Sequence, residues 1–287
     1  MVSVIIPVYN RGYIVRDAIN SVLNQTVHDI EVIVIDDGST DNSAEVINSI
    51  KDPRVHYYYQ DNAGACIARN NGILKAKGEY IAFHDSDDIW HRDKLEKQMT
   101  IFSKTDTDIV VCKMNVIKDG KVRFQTPKLE TGPIYPIVNL FGIGTQTIVA
   151  KRYVFEEFQF DPEMPRYQDF EFLYRVAQKY KIYCVGEGLV DYSVKEDSIS
   201  SNPQKRYAAC ELIQNKYPEI KTKYPIMSAE MACGLQVDAG KLMKKGNHEY
   251  LKYIKKSYEF DNSLRSKLRV KLIQLEIYDM LCRLVEK

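Results

Sequence analysis

Apolar runs that alternate with helical patterns constrain the fold of this chain more than any other feature of its sequence. The runs at 2–6 and 30–35 are rich in Val and Ile, and each precedes a segment whose apolar residues recur every three or four positions. Strands that are apolar along their whole length are typical of a parallel sheet covered by helices on both faces. The sequence therefore predicts an α/β fold with a mostly parallel sheet.

Polar side chains follow four predicted strands at the points where the strands end. Tyr9 follows the first strand, Asp37 the second, Asn62 the third and Asp85 the fourth. The carboxyl ends of parallel strands lie along one edge of a sheet, where α/β proteins bind their ligands. We therefore expect these side chains to gather in one site, together with Arg69 from the helix that follows Asn62.

The fourth strand ends in the acidic segment 85–88. Asp85 and Asp87 would supply two hard oxygen ligands, which Mg²⁺ and Mn²⁺ accept together with substrate phosphates. The same carboxylates could instead cap the helix that is predicted to begin near residue 93. His84 and His91 flank the segment, but no second His or Cys completes the spacing of a zinc site.

Loop residues after the first two strands suit a nucleotide. The ring of Tyr9 could stack on a base, and the carboxylate of Asp37 could accept a hydrogen bond from a base N–H or a ribose hydroxyl. Ordinary turn chemistry explains Asn10, Asp37 and Gly38 equally well. Arg69 is either a solvated helix charge or a contact for phosphate and the aspartates.

Asp169 is a further candidate for chemistry, since activation of a hydroxyl nucleophile needs a general base within hydrogen-bond reach. It lies at the start of a predicted helix, where a carboxylate can also serve only as a partner of the helix dipole. Glu171 would point ~200° away on that helix, so the two carboxylates cannot share a face.

Charge and cysteine usage bound the remaining possibilities. The chain carries 40 Lys or Arg against 39 Asp or Glu, but residues 204–287 hold 17 of the basic and only 10 of the acidic residues. Six cysteines lie far apart, which predicts reduced thiols, and no signal peptide is evident. No apolar run reaches the roughly 20 residues that span a bilayer. We expect a cytoplasmic protein, soluble or peripheral at the membrane.

Five motifs in order resemble glycosyltransferase family 2, whose members use the GT-A fold, a Rossmann-like sheet flanked by helices. The motifs are Val4–Asn10, Gln25-Thr26, Asp36–Asp41, Asn62-x-Gly64 with Ala68–Asn70, and Asp85-x-Asp87. The resemblance implies a catalytic domain over 1–203, with a nucleotide-sugar half over about 1–110 and an acceptor half over about 111–203. The boundary follows from a change in the sequence at about Pro203, beyond which a Lys-rich helical region is predicted over 204–287.

The resemblance also implies roles for individual residues. Asp169 would be the catalytic base, and Asp87 would bind Mn²⁺ or Mg²⁺. Gln168 stands where the family usually has Glu, and Lys195 stands where a His is common. The residues expected to bind the nucleotide-sugar are Pro7, Tyr9, Asn10, Asp37, Asn62, Gly64, Arg69, Asp85, Ser86 and Lys195.

The implied activity is inverting transfer of a hexosyl or N-acetylhexosaminyl group. The donor would be a nucleotide-sugar, foremost a UDP-sugar, and the acceptor a saccharide or lipid-linked hydroxyl in surface polysaccharide or glycolipid synthesis. A non-catalytic nucleotide-sugar binder of the same fold is the alternative. Without a G-x-G-x-x-G after the first strand, a dehydrogenase is not indicated.

The C-terminal region leaves two interpretations open. Its helices could pack on the catalytic domain or on a second subunit. Alternatively, its lysines could meet anionic lipid headgroups and bring the enzyme to a lipid-linked acceptor. The lysines concerned are Lys244, Lys245, Lys252, Lys255 and Lys256.

Overall fold

A computed structural model describes residues 1–134, 140–193 and 202–275. Its contacts divide the chain into two units, Met1–Met164 with Gln168–Lys195, and Pro165–Tyr167 with Glu196–Lys287. Lys195 lies outside the described residues. The boundary at residue 203 stays a prediction.

The first unit is built on one sheet of ten strands in the described ranges. They are β1 (Val2–Val8), β2 (Ile30–Asp37), β3 (Val55–Gln60), β4 (Tyr80–Phe83), β5 (Ile89–Trp90), β6 (Ile109–Lys118), β7 (Lys121–Thr126), β8 (Gly132–Pro133), β9 (Val149–Lys151) and β10 (Ile182–Ser193). Their order is β3-β2-β1-β4-β9-β6-β10-β5, with β7 beside β6 and β8 beside β10.

Helices connect these strands and form the second unit. In the first unit they are α1 (Val15–Leu23), α2 (Ser43–Asn48), α3 (Ala65–Lys75), α4 (Lys94–Lys104), α5 (Tyr153–Glu157) and α6 (Gln168–Val176). In the second unit they are α7 (Pro203–Lys216), α8 (Ile220–Lys223), α9 (Pro225–Lys244), α10 (Tyr250–Phe260) and α11 (Leu264–Gln274). No helix in the described ranges is long and apolar enough to cross a bilayer.

Strands β3, β2, β1 and β4 pair in parallel, as their continuously apolar sequences predict. Beyond β4 the sheet is mixed, because β9 runs antiparallel between β4 and β6, whereas β6 and β10 are again parallel. The parallel register brings Val8 opposite Asp36 and Ile5 opposite Phe83. The ends of β1, β2 and β4 therefore share one edge of the sheet.

Close packing of α3 on the sheet fixes the direction of its polar face. A β-carbon at Gly72 would lie 2.4 Å from Cγ2 of Ile5, so only glycine allows this approach of helix to strand. Cys66, Ala68 and Ile73 are buried on the same helix. Arg69, one turn before Gly72, is consequently held at the sheet edge.

Buried polar contacts join the helices of the second unit. Arg206 on α7 lies 3.0 Å from Asp238 on α9. The amide nitrogen of Gln236 lies 2.6 Å from the hydroxyl of Ser266 on α11 and 3.2 Å from that of Ser257 on α10. Interior polar groups are commonly paired with one another in this way. The predicted C-terminal helices are confirmed.

Candidate active site

Asp37 is held by donors from the end of β3 and from the loop that follows it. Its Oδ1 accepts from the backbone N–H of Ala63 and the amide of Gln60, and its Oδ2 accepts from the N–H of Gly64, at 2.7 to 2.9 Å. Asn62 donates to the Asp37 carbonyl. A carboxylate has about four acceptor positions, so one remains on Oδ2.

The loops after β1 and β2 are tied together by Asn10. Its side-chain oxygen accepts the N–H of Thr40 at 2.8 Å, and its own N–H donates to the Ser39 hydroxyl. Its φ of +52° is a left-handed conformation that asparagine tolerates. Next to it, the ring of Tyr9 is exposed, and Pro7 pairs with Ile35 inside the sheet. The ring is accessible to a base.

Asp85 and Asp87 lie just beyond β4 and each faces an arginine. Oδ1 of Asp85 accepts from Nη2 of Arg69 at 2.8 Å, and Oδ2 of Asp87 lies 3.9 Å from Nε of Arg11. Both carboxylates remain partly exposed, at 28% and 22%, whereas Ser86 between them is buried. The arginines balance charge without covering the carboxylates.

The donor set at this edge fits a cation completed by substrate rather than a closed protein cage. In the part of the chain that the structure describes, no group of three His, Cys, Asp or Glu side chains could hold a metal ion. A hard divalent cation commonly takes only one or two carboxylates when phosphates and waters fill the remaining positions. Asp87 and Asp85 provide that number.

Arg69 connects the acidic segment to the start of α6. Besides Asp85, its guanidinium donates to Oε1 of Gln168 at 2.9 Å and to the Thr145 hydroxyl at 3.2 Å, and it lies over the ring of Phe160. The arginine is only 5% exposed. The solvated-charge interpretation of Arg69 is therefore wrong.

Asp169, the second residue of α6, lies near this arginine and is half-buried. The pKa of its carboxyl is raised to about 6, mainly by burial and to a smaller extent by the charge of Asp85, while the N–H of Phe170 and the charge of Arg69 act in the opposite direction. Glu171 pairs instead with Arg175 at 2.6 Å. As the helical geometry predicts, the two carboxylates have different surroundings.

Comparison with known proteins identifies the family. The model of glycosyl transferase family 2 matches residues 3–177. The chain belongs to this family. A glycosyltransferase of Rickettsia felis is 39% identical over 165 residues, which are 54% of this chain and 27% of that protein. The chain thus spans about a quarter of that relative's length.

Two other comparisons cover more of the chain. Escherichia coli WfgD, a UDP-Glc:α-D-GlcNAc-diphosphoundecaprenol β-1,3-glucosyltransferase, is 31% identical over 71% of this chain and 81% of WfgD. The crystal structure of S. aureus TarS 1–349 with UDP-GlcNAc is 19% identical, with a TM-score of 0.63 over 93% of this chain and 92% of that one. The likeness confirms the GT-A fold.

Several contacts of this family 2 site carried no individual signal in the sequence. Arg11 directly follows a motif residue, and Gln60 ends β3, but neither was expected to hold a carboxylate. Thr145 lies in the short helical turn Thr145–Thr147, 76 residues from Arg69. Contacts between residues so far apart in the chain depend on how the loops fold, so no local sequence pattern marks them.

Proposed function

We propose that this chain is an inverting, metal-dependent glycosyltransferase that uses a nucleotide-sugar, foremost a UDP-sugar. The observation that carries the proposal is the meeting of Asp85, Arg69 and Asp169 at one edge of the sheet. This arrangement joins carboxylates suited to a metal-bound donor diphosphate with a carboxylate suited to proton transfer. A non-catalytic binder would need the first group but not a base beside it.

The donor would lie across the ends of β1, β2 and β4. Tyr9 would stack on the base beside Pro7, and the remaining acceptor position of Asp37 would take a base N–H. The loops of Asn10, Asn62 and Gly64 would shape this pocket, with Asp85 and Ser86 nearer the sugar. Lys195, outside the described residues, is proposed to meet the diphosphate.

Asp169 would take the proton of the acceptor hydroxyl as that oxygen attacks the anomeric carbon from the face opposite the leaving diphosphate. This direction of attack inverts the anomeric configuration. A carboxyl with a pKa of about 6 is largely deprotonated at pH 7.5 and is more basic than an ordinary aspartate, both of which suit a general base. Mn²⁺ or Mg²⁺ held by Asp87 would supply charge stabilisation for the departing nucleoside diphosphate.

Release of UDP from a panel of UDP-sugars with Mn²⁺ tests the activity. Asp169→Asn should lower turnover by about 10³-fold, the order expected for loss of a general base, while UDP binding persists. Asp106→Asn changes a fully exposed carboxylate paired with Lys181 and is the control. Full turnover in Asp169→Asn would remove this residue from the mechanism, and failure of every donor to react would favour the non-catalytic alternative.

The acceptor is proposed to be a saccharide or lipid-linked hydroxyl in surface polysaccharide or glycolipid synthesis, in line with the lipid diphosphate named for WfgD. A hexosyl or N-acetylhexosaminyl group would be transferred. A lipid-linked acceptor would require the enzyme to work at the inner face of the membrane. The charges of the second unit support such peripheral contact.

Helix α11 offers the better surface for that contact. Leu264, Leu268 and Leu275 are each more than half exposed and lie within an arc of about 40° on the helix. Exposed Lys267 and Lys271 flank them, and residues 264–275 contain no acidic side chain. An apolar stripe bordered by lysines suits an anionic lipid surface, whereas two copies meeting here would bring like charges together.

The lysines singled out on α10 are less suited to lipid. Lys252 lies 3.9 Å from Glu249 and over the ring of Tyr207. Lys256 pairs with Glu259 at 3.0 Å and lies near Glu211. Their charges are already partly balanced by protein, so we propose α11 as the principal contact.

Flotation with phosphatidylglycerol and phosphatidylcholine vesicles tests this surface. The triple substitution Leu264→Ser, Leu268→Ser and Leu275→Ser should abolish binding to the anionic vesicles. Val122→Ser with Phe124→Ser, which changes similarly exposed apolar residues on β7, should not. Equal flotation on both lipids would contradict the proposal, as would a concentration-dependent dimer lost in the triple variant.

A further inference from the structure

The side chain of Gln168 has a defined orientation at the first position of α6. Its Nε2 donates to the carbonyl of Met164 at 3.0 Å, and its Oε1 accepts from Nη1 of Arg69 at 2.9 Å. The two bonds assign the amide, because a carbonyl can only accept and a guanidinium can only donate. A carboxylate here would set one of its oxygens against the Met164 carbonyl.

Arg69 is engaged on three sides by this arrangement. Nη1 is directed at Gln168, while Nη2 is shared between Asp85 and Thr145, and the central guanidinium carbon lies 5.5 Å from the centre of the Phe160 ring. With so little of the arginine exposed, its principal contacts are with protein. Its position links the loop after β4, which would hold the donor, to the helix that carries Asp169.

We propose that Gln168 is a positioning residue, whose amide fixes Arg69 against Asp85 and thereby sets the place of Asp169 relative to the donor loop. The proposal rests on the proposed function, since it assigns Gln168 to the base side of that same site. Misplacement of a base by even ~1 Å can cost a large factor in rate. Gln168 would then act on turnover more than on donor binding.

The neutrality of Gln168 has a second consequence. Arg69 on α3 and Asp85 after β4 are the charged groups that act most strongly on Asp169, and the Cys66 thiol of α3, with its pKa raised to about 12, stays neutral. A Glu at position 168 would add a third carboxylate, beside Asp85 and Asp169, that competes for Arg69. The pKa of Asp169 would rise, and fewer molecules would hold the base ready at neutral pH.

Gln178 provides a matched control on the same part of the chain. Its Nε2 donates to the Tyr174 carbonyl four residues earlier, as that of Gln168 does to Met164, but among the described residues no hydrogen bond to an arginine accompanies it. Gln→Met preserves the length of the side chain and removes its hydrogen bonds. The pair Gln168→Met and Gln178→Met therefore isolates the contact with Arg69.

The experiment measures UDP affinity with Mn²⁺, turnover of the best UDP-sugar, and the titration of Asp169 by carbon-13 NMR, assigned with Asp169→Asn. Gln168→Met should lower kcat by about tenfold with UDP affinity within twofold, and Gln178→Met should match the wild type. Gln168→Glu should raise the midpoint of the Asp169 titration by about one pH unit.

Two results would overturn the proposal. The first is a kcat of Gln168→Met that equals the kcat of Gln178→Met. The second is an Asp169 titration that Gln168→Glu leaves unchanged. A wild-type chain that turns over no donor would instead contradict the proposed function. The titration separates these cases, because it reports the surroundings of Asp169 whether or not turnover occurs.

Discussion

The two acidic clusters at the sheet edge are built in opposite ways. At the end of β2, Asp36 and Asp37 are buried and bonded to neutral donors, including the Tyr57 hydroxyl and the Ala63 and Gly64 backbone. After β4, Asp85 and Asp87 stay partly exposed and face arginines. The first cluster is a preformed receptor with little capacity left, whereas the second keeps oxygen atoms accessible for a ligand.

Asp→Asn substitutions at Asp37 and at Asp85 should give the largest measurable difference between the two clusters. Asp37 uses both oxygens as acceptors, so an amide would set an NH₂ group against a backbone donor and cost about 2–3 kcal/mol of unfolding free energy. Asp85 uses only Oδ1 for a described partner, and an amide oxygen can still accept from Arg69. Its substitution keeps this hydrogen bond but removes the charge opposite Arg69, and at a partly exposed carboxylate it should cost about 1 kcal/mol, less than that of Asp37.

Urea denaturation of the wild type and both variants measures the difference. The two proteins carry the same chemical change, so each is the control for the other. Equal losses of stability would show that the clusters do not differ in the way their hydrogen bonds indicate.

Sequence patterns predicted where these clusters lie but not how they are held. The strands and their order along the chain follow from apolar runs such as 30–35, and strand ends fix the edge at which Asp37 and Asp85 appear. Asn62 and Gly64 were expected to bind the nucleotide-sugar, whereas their contacts with Asp37 were not expected and depend on a loop conformation. A motif predicts that its residues lie in the same site, whereas their hydrogen bonds depend on the three-dimensional geometry of the loop.

The pH dependence of turnover tests the surroundings of Asp169, which lies near Asp85 of the second cluster. Since the pKa of Asp169 is raised to about 6, mainly by burial, the active deprotonated form should be lost as the pH falls through 6. Turnover should decline about tenfold per pH unit below that value, provided UDP remains bound. The measurement is kcat between pH 4.5 and 8 at saturating donor.

An acidic limb near pH 4 would contradict this prediction, because it would correspond to an aspartate in ordinary surroundings. The Asp106→Asn variant should retain the wild-type profile. A limb shared by wild type and control at pH 6, and absent from the residual activity of Asp169→Asn, would assign the limb to this carboxyl.

Asp169→Asn should have a smaller and opposite effect on stability. A carboxyl whose pKa is higher in the folded state than its unfolded value of 3.8 makes the protein less stable as the pH rises, because the carboxyl gives up its proton first in the unfolded chain. The penalty develops between about pH 4 and 6 and is complete above 6. The asparagine avoids it, so the variant should gain about 1 kcal/mol at pH 7.5, after allowance for partial solvent exposure.

The same gain should vanish near pH 4, where the wild-type carboxyl is neutral in the folded state. Urea denaturation at pH 7.5 and pH 4 measures both values. A loss of stability at pH 7.5 would mean that the attraction of Arg69 outweighs burial, and Asp169 would then resemble the well-satisfied Asp37. A gain confined to neutral pH would instead show that the charged carboxylate of Asp169 lowers the stability of the folded protein. The proposed reaction needs an exposed and basic oxygen at this same carboxylate.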